Sequence, residues 1–270
     1  MDPAEPAPPA SPDCISCGRP LKPEAAFCSA CGHRRGDPPV DRAALVQAKV
    51  RKLQRIESGW VGIRSLIAIY FCLLGGAALT SVLGKATDDF TAEAAGSGII
   101  AFIVVIAALR HRRELAECSR TAGFGWKGYA GIVVASLAIV FVVHTYVHGL
   151  DRLFKLRMES ELNPFSGRHP AWAFLLYAAA PALFEELGFR GVMFGLLRRS
   201  LDARETILLS AIAFGILHLS VPMLITHVPL GLYLGWLRHR SGSLYPSMVA
   251  HFLHNGLVVA GGTWNLWPGS

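Results

Sequence analysis

Long apolar segments follow one another through most of this chain after residue 60, and they leave few architectures open. Of 270 residues, 52% are hydrophobic and only 17% are charged, which is too apolar for an ordinary soluble domain of this length. A backbone inside a bilayer must satisfy its own hydrogen bonds, so such segments are predicted to be helices. We therefore expect an all-α fold, a polytopic bundle of transmembrane helices. The apolar segments lie at about 60–83, 96–109, 129–148, 171–197, 205–219, 222–237 and 244–262.

The loops between these segments differ in charge, and this difference predicts an orientation. Lys and Arg are concentrated before Trp60 and at 110–127, 198–204 and 238–240, whereas 85–93 is net acidic. Because basic loops remain in the cytoplasm, the pattern predicts seven spans with the N-terminus inside and the C-terminus outside. The short second segment is the weak point, since a re-entrant segment there would change the count.

The N-terminal region carries no pattern typical of a cleavable signal peptide, so we expect a multi-pass protein of the cell membrane whose N-terminus stays cytoplasmic. Residues 1–12 are rich in Pro and Ala and are predicted to be a disordered tail. Residues 34–57 are predicted to be a linker and a basic interfacial helix, with Asp41 as its N-cap. The transmembrane domain is expected to cover 58–265.

The net charge of +7 is compatible with either nucleic acid or anionic lipid. The basic residues stand beside apolar segments and do not form one stripe on a folded domain, so lipid headgroups and topology explain them better. We therefore predict membrane lipids as partners and no nucleic acid.

Four cysteines, Cys14, Cys17, Cys28 and Cys31, form two Cys-x-x-Cys-Gly knuckles. Their spacing lets four thiolates converge on one tetrahedral Zn²⁺, and four sulfur ligands leave no open position, so this zinc is expected to be structural. Disulfides are the alternative, which a cytoplasmic location disfavours.

The module that holds the cysteines spans residues 13–33 and resembles a small zinc ribbon. A segment this short folds only with its metal, and Leu21 and Phe27 are predicted to form its apolar cap. The expected partner of the ribbon is a protein, since its only basic cluster is Arg34-Arg35.

Two carboxylates and a guanidinium interrupt the fourth apolar segment, in the run Phe184-Glu185-Glu186-Leu187-Gly188-Phe189-Arg190. A charge at mid-bilayer depth costs at least roughly 2.5 kcal/mol, so these groups need partners or a function. Glu186 and Arg190 are four residues apart and can pair on one helix face. Glu185 lies about 100° around the helix, where an unpaired carboxylate facing a wet cavity suits general-base chemistry. The alternative is a buried ion pair that only fixes helix packing.

Later apolar segments supply polar groups that can meet this carboxylate. His218 follows Phe214 by four residues, so the two rings share a face. His251 and Asn255 are also one turn apart, and an imidazole and a carboxamide can both donate to an oxyanion. His254 is expected to support the site without belonging to its primary set, and Tyr177 is expected to be a packing or membrane-belt residue.

Together these patterns, Glu185-Glu186-x-x-x-Arg190, Phe214-x-x-x-His218 and His251-x-x-x-Asn255, closely resemble the three motifs of the CAAX protease and bacteriocin-processing family of intramembrane endopeptidases. The resemblance covers about residues 170–260. It implies a helical bundle that holds a catalytic water, which Glu185 and His218 would activate. By the same resemblance, His251 and Asn255 would stabilise the tetrahedral intermediate, and Glu186 and Arg190 would support the site.

The sequence leaves a catalytic metal undecided. Glu185, His218 and His251 can supply three ligands to a zinc ion, and the same residues can also work without a metal. The expected substrate is a membrane-associated protein or peptide, and a prenylated CAAX-type tail is one candidate.

Two other functions compete with the peptidase. The first is a catalytically silent membrane scaffold or regulator that signals through the zinc ribbon. The second is an ion or proton transporter, which the lack of an internal repeat disfavours.

Overall fold

The computed structural model describes residues 13–22, 24–36, 42–118, 124–154 and 169–264. The chain divides into two compact units, Met1–Gln54 and Arg55–Ser270. The predicted tail 1–12, the N-cap Asp41 and residues 37–40 of the predicted linker lie outside the described residues.

Helices account for nearly all of the described chain after residue 41, so the predicted all-α fold is confirmed. Within the described residues, β structure is limited to two isolated bridges in the N-terminal unit. The first four helices are α1 (Arg42–Leu83), α2 (Asp89–Arg110), α3 (Arg112–Cys118) and α4 (Gly125–Phe154), and the last three are α8 (Ala203–Leu217), α9 (Val221–Ser241) and α10 (Tyr245–Trp264).

Between these two groups, residues 170–197 form one helical segment that enters π geometry twice and returns to α geometry each time. Its parts are α5 (Pro170–Ala173), π1 (Phe174–Ala179), α6 (Ala180–Glu186), π2 (Leu187–Met193) and α7 (Phe194–Leu197). A π-helical turn carries one extra residue and often marks a functional site. Here the change from α6 to π2 falls directly after the two glutamates.

Three helices in the described part of the chain are long and apolar enough to cross a bilayer, at Gly62–Leu83, Phe90–Arg110 and Gly125–Phe154. The second of these is longer than the apolar segment that the sequence indicated. The Asp88 side chain accepts a hydrogen bond from the Thr91 backbone and caps α2, which therefore has 22 residues. The prediction that 85–93 is a loop is wrong at its end, because Glu93 lies inside α2. The total of seven spans stays a prediction.

The core of the second unit lies where the 170–197 segment packs against α8 and α9. Phe189 and Phe214 meet edge to face with ring centroids 5.4 Å apart, and both side chains are buried. Helices α8 and α9 approach closely at Gly231, where an added Cβ would lie 2.9 Å from the Cα of Ala211. This close approach brings the backbone of α9 within reach of Arg190.

Candidate active site

Glu186 and Arg190 form a completely buried ion pair. The Nη1 atom of Arg190 donates to Oε1 of Glu186 at 2.9 Å, and both side chains are 0% exposed. The Nη2 atom of Arg190 donates to the carbonyl oxygen of Gly231 at 3.0 Å, and the guanidinium carbon lies 4.6 Å from the ring centroid of Phe214. The pair thus joins the 170–197 segment to α8 and α9. Its geometry matches the spacing argument from the sequence.

His251 on α10 lies against both glutamates. Its Nδ1 atom is 3.0 Å from Oε1 of Glu186, and its Nε2 atom is 3.9 Å from Oε2 of Glu185. Because Glu186 also accepts from Arg190, it is ionised, and His251 must donate through Nδ1. A neutral His251 therefore presents an unprotonated Nε2 toward Glu185. Oε2 of Glu185 has no hydrogen-bond partner among the described residues.

His218 caps the C-terminal end of α8 and is fixed in one tautomer. Its Nδ1 atom lies 2.9 Å from the carbonyl oxygen of Phe214, which can only accept, so Nδ1 carries the proton. The neutral ring therefore has a free lone pair on Nε2. At Leu219 the backbone takes a φ of 52°, and the chain turns there between α8 and α9.

His227 on α9 is a site residue that the sequence reasoning missed. Its ring centroid lies 3.8 Å from that of His218, and its Nδ1 atom lies 2.9 Å from the carbonyl oxygen of Met223. It therefore has the same tautomer as His218. The signal available in the sequence was a histidine in an apolar segment, but it belonged to no recognised motif.

Asn255 is held by the backbone of the 170–197 segment. Its Nδ2 atom donates to the carbonyl oxygen of Tyr177 at 2.9 Å. In a regular α-helix that carbonyl would accept from the residue four positions later, which is Pro181 and has no N–H. The amide of Asn255 therefore meets no competing donor at position 181, and one of its two N–H bonds is used for this contact.

Two cavities meet at Glu185 and His218. The first, of about 710 Å³, lies beside α1 and α2 and is also lined by Thr80, Ser81 and Glu93. We call it the α1–α2 cavity.

The second cavity, of about 440 Å³, includes Val143, Val259 and His251 in its walls. We call it the α4–α10 cavity, and it also holds His227, His254 and Asn255. The side chain of His254 is 8% exposed, and its Nδ1 atom has no hydrogen-bond partner in the described part of the chain. Every predicted active-site residue except the Glu186–Arg190 pair thus lines at least one of the two cavities.

Glu93 and Tyr177 line both cavities. The carboxyl of Glu93 is within hydrogen-bonding reach of the side chains of Tyr177 and Ser97. Glu93 was missed because the sequence pattern assigned it to a loop. The interpretation of Tyr177 as a packing or membrane-belt residue was incomplete, because its backbone holds Asn255 and its side chain faces the site.

Comparison with protein families identifies the part of the chain that carries this arrangement. Residues 167–257 match the family model described as type II CAAX prenyl endopeptidase Rce1-like. We call residues 167–257 the Rce1-like segment, after the family that they resemble. The resemblance predicted from the motifs is confirmed over these residues, which include all six predicted active-site residues. No match is found among curated proteins or among solved structures.

The Rce1-like segment does not bring Glu185, His218 and His251 together around one ion. In the described part of the chain, the four ribbon cysteines are the only group of three or more His, Cys, Asp or Glu ligand atoms that all lie within 4.8 Å of one another. Nitrogen and oxygen ligands bind zinc at about 2.0–2.2 Å. The ligand atoms of Glu185, His218 and His251 would therefore have to lie closer to one another to share one ion. The three residues therefore do not fit a metal site as they are arranged here.

The cysteine cluster, which lies outside the Rce1-like segment, does fit a metal. The Sγ atoms of Cys14 and Cys31 are 3.7 Å apart, as are those of Cys17 and Cys28. A tetrahedral zinc with bonds of about 2.3 Å separates its sulfurs by roughly 3.8 Å, whereas a disulfide requires about 2.05 Å.

The backbone shapes the two knuckles in the same way. Gly18 and Gly32 have φ values of 71° and 72°, a conformation that favours glycine, and their N–H groups donate to the carbonyls of Cys14 and Cys28 at 2.7 and 2.8 Å. Hydrogen bonds from the backbone of Ala30 and Cys31 lower the pKa of the Cys28 thiol to about 6. A thiolate is the form that binds metal.

Around the cluster, the predicted apolar cap is half right. Leu21 is buried and packs on the cysteines, but Phe27 is 58% exposed.

Proposed function

We propose that this chain is an intramembrane endopeptidase that hydrolyses a peptide bond in a membrane-associated substrate, with Glu185 as the general base. The Rce1-like match indicates a peptidase. The observation that carries the proposal is the position of Glu185, whose Oε2 atom has no hydrogen-bond partner among the described residues and whose side chain lines both cavities. An ion pair that served packing alone would leave this carboxylate and the cavities unexplained.

In the first step, the carboxylate of Glu185 takes a proton from a water molecule. The lone pair on Nε2 of His218 accepts the other O–H of the same water and orients it. The water oxygen forms a bond to the carbonyl carbon of the substrate, and the carbonyl oxygen becomes an oxyanion. General-base assistance of this kind contributes roughly 10²–10⁴-fold to a rate.

The second step breaks the bond between carbon and nitrogen. The proton held by Glu185 passes to the leaving nitrogen, so the products are a carboxylic acid and an amine. The N–H of Asn255 that Tyr177 does not use can donate to the oxyanion. His251 can donate through Nε2 only when that atom is protonated, because its Nδ1 proton is directed at Glu186. The oxyanion role that the resemblance gives His251 therefore requires an imidazolium between the two glutamates.

The direct test uses the purified full-length chain in detergent or lipid and a library of membrane-spanning and lipid-modified peptides. We expect new termini, and in ¹⁸O-labelled water we expect one ¹⁸O atom in each new carboxylate. A library that includes prenylated CAAX tails shows at the same time whether such tails are substrates. If no peptide is cut under conditions in which the protein stays folded, the peptidase proposal fails.

The cysteine cluster supports a second proposal, a structural Zn²⁺ bound by Cys14, Cys17, Cys28 and Cys31. The sulfur distances support it, and the four ligands leave no position for a substrate. The ribbon lies in the first of the two compact units, Met1–Gln54, and not in the one that holds the cavities, which suits contact with a partner protein. A scaffold or regulator acting through this ribbon is the alternative function, and it predicts partner binding with no cleavage.

A further inference from the structure

The two cavities and the basic residues lie at opposite ends of the helices in the second unit. In the α1–α2 cavity, α1 contributes Thr80, Ser81 and the adjoining Gly84, all near its C-terminal end. Helix α2 contributes Glu93 and Gly96, which belong to its first two turns. This cavity therefore opens at the end of the bundle where α1 turns into α2.

The remaining helices place their cavity residues at the same end. His218 and Leu219 follow the end of α8, and Met223 lies at the start of α9. Val259 and Thr263 lie in the last turns of α10. The turns that join these helices near the cavities are thus on one side of the bundle.

The basic residues collect at the other side. They lie at the end of α2, after α7, at the start of α8 and at the end of α9, as Arg110, Arg198, Arg199, Arg204, Arg238 and Arg240. Contacts join these termini, because Arg199 pairs with Glu114 of α3 and the N–H of Leu244 donates to the carbonyl of Cys118 at 3.0 Å.

At the cavity end, the turn after α1 and the end of α4 carry charges of both signs, Lys85, Asp88, Glu93, Asp151 and Arg152, and the sequence 155–168 that follows α4 adds three basic and two acidic residues. Short loops rich in Lys and Arg stay on the cytoplasmic side of a membrane protein. The basic end is therefore assigned to the cytoplasm, and the cavity end to the opposite face.

We propose that the active site opens to the non-cytoplasmic face of the membrane, and that its substrate is a peptide segment that reaches the site from that face. The substrate part of this proposal rests on the proposed peptidase function, whereas the access part does not. Access from the non-cytoplasmic face favours exported or membrane-anchored polypeptides as substrates over cytoplasmic tails. A tail in the cytoplasm would meet the basic end of the bundle, away from both cavities.

Labelling of single introduced cysteines in intact cells tests the access. Three variants of the full-length chain are treated with a membrane-impermeant maleimide, and labelling of the unsubstituted chain is subtracted. Lys85→Cys reports the turn at the cavity end, Ser81→Cys reports the α1–α2 cavity itself, and Arg204→Cys is the matched control at the basic end. All three positions are exposed in the structure.

We expect Lys85→Cys and Ser81→Cys to be labelled in intact cells, and Arg204→Cys to be labelled only after permeabilisation. The reverse pattern would overturn the proposal. Labelling of Lys85→Cys without Ser81→Cys in intact cells would also overturn it, since the cavity would then not be open to water at that face. These readouts do not depend on turnover, so a failure of the access proposal is distinct from a failure of the peptidase proposal.

Discussion

His251 contacts both members of the Glu185–Glu186 pair, with Nδ1 3.0 Å from Oε1 of Glu186 and Nε2 3.9 Å from Oε2 of Glu185. The buried ion pair and the proposed general base are therefore connected through one imidazole. A carboxylate that holds a histidine in one tautomer also fixes the direction in which its other nitrogen acts. Glu186 and Arg190 thus contact neighbouring helices and hold His251 in one orientation at the same time.

Replacing Arg190 by Met tests the stabilising role of the pair. The substitution leaves Glu186 buried without its cation, so we expect the free energy of unfolding in detergent to fall by about 3–5 kcal/mol. The double variant Arg190→Met with Glu186→Leu removes both charges, and we expect it to cost less than the sum of the two single variants. Strictly additive losses would contradict a coupled ion pair.

The arrangement around Asn255 is tested by Pro181→Ala. An alanine at this position supplies an N–H that can donate to the carbonyl of Tyr177, in competition with the amide of Asn255. We expect kcat to fall with little change in KM, because the freed amide loses its orientation toward the oxyanion. Pro222→Ala is the control, since a proline in the first turn of α9 replaces no helical hydrogen bond. Equal effects of the two substitutions on kcat would count against this role for Pro181.

The cysteine cluster makes a prediction about metal content. We expect one zinc per chain in the purified protein, measured by elemental mass spectrometry, and loss of that zinc in Cys14→Ser combined with Cys28→Ser. Cys72→Ser is the matched control, because Cys72 lies in α1 apart from the cluster. Zinc that remains in the double variant would place a metal elsewhere in the chain and would reopen the question of a metal at Glu185.

Local spacing was enough to predict the parts of the site that lie on one helix. Glu186 with Arg190, and Phe214 with His218, are four residues apart, and a helical repeat alone puts each pair on one face. The metal-binding arrangement of the cysteine knuckles was predictable for the same reason, since their ligands lie close together in sequence. In each case the sequence separation is short enough for the backbone geometry to be inferred.

The rest of the site depends on contacts between distant segments. His227 meets His218 across the turn at Leu219, where α9 folds back on α8, and Asn255 meets the carbonyl of Tyr177 across 78 residues. The π-helical stretches carry no periodic signal in the sequence. The sequence pattern assigned Glu93 to a loop, because the charged residues around the Asp88 cap hide the start of α2.

The position of Glu93 in both cavities leads us to expect that the enzyme prefers positively charged substrates. In the described residues neither cavity is lined by Lys or Arg, whereas both are lined by Glu93 and Glu185. We expect peptides with Lys near the cleaved bond to have a higher kcat/KM than matched peptides with Glu. Glu93→Gln should reduce this ratio and Glu93→Lys should reverse it. A ratio that stays the same in all three proteins would exclude Glu93 from substrate contact.

The central claim is that Glu185 activates the water that cuts the peptide, and one comparison tests it most directly. Cleavage of one membrane peptide is measured with the unsubstituted chain, with Glu185→Gln and with Glu117→Gln, a matched change at an exposed glutamate outside both cavities. With all three proteins equally folded, we predict that Glu185→Gln lowers kcat by about 10²–10⁴-fold, while Glu117→Gln retains the rate of the unsubstituted chain. Cleavage by Glu185→Gln at the full rate would contradict the account.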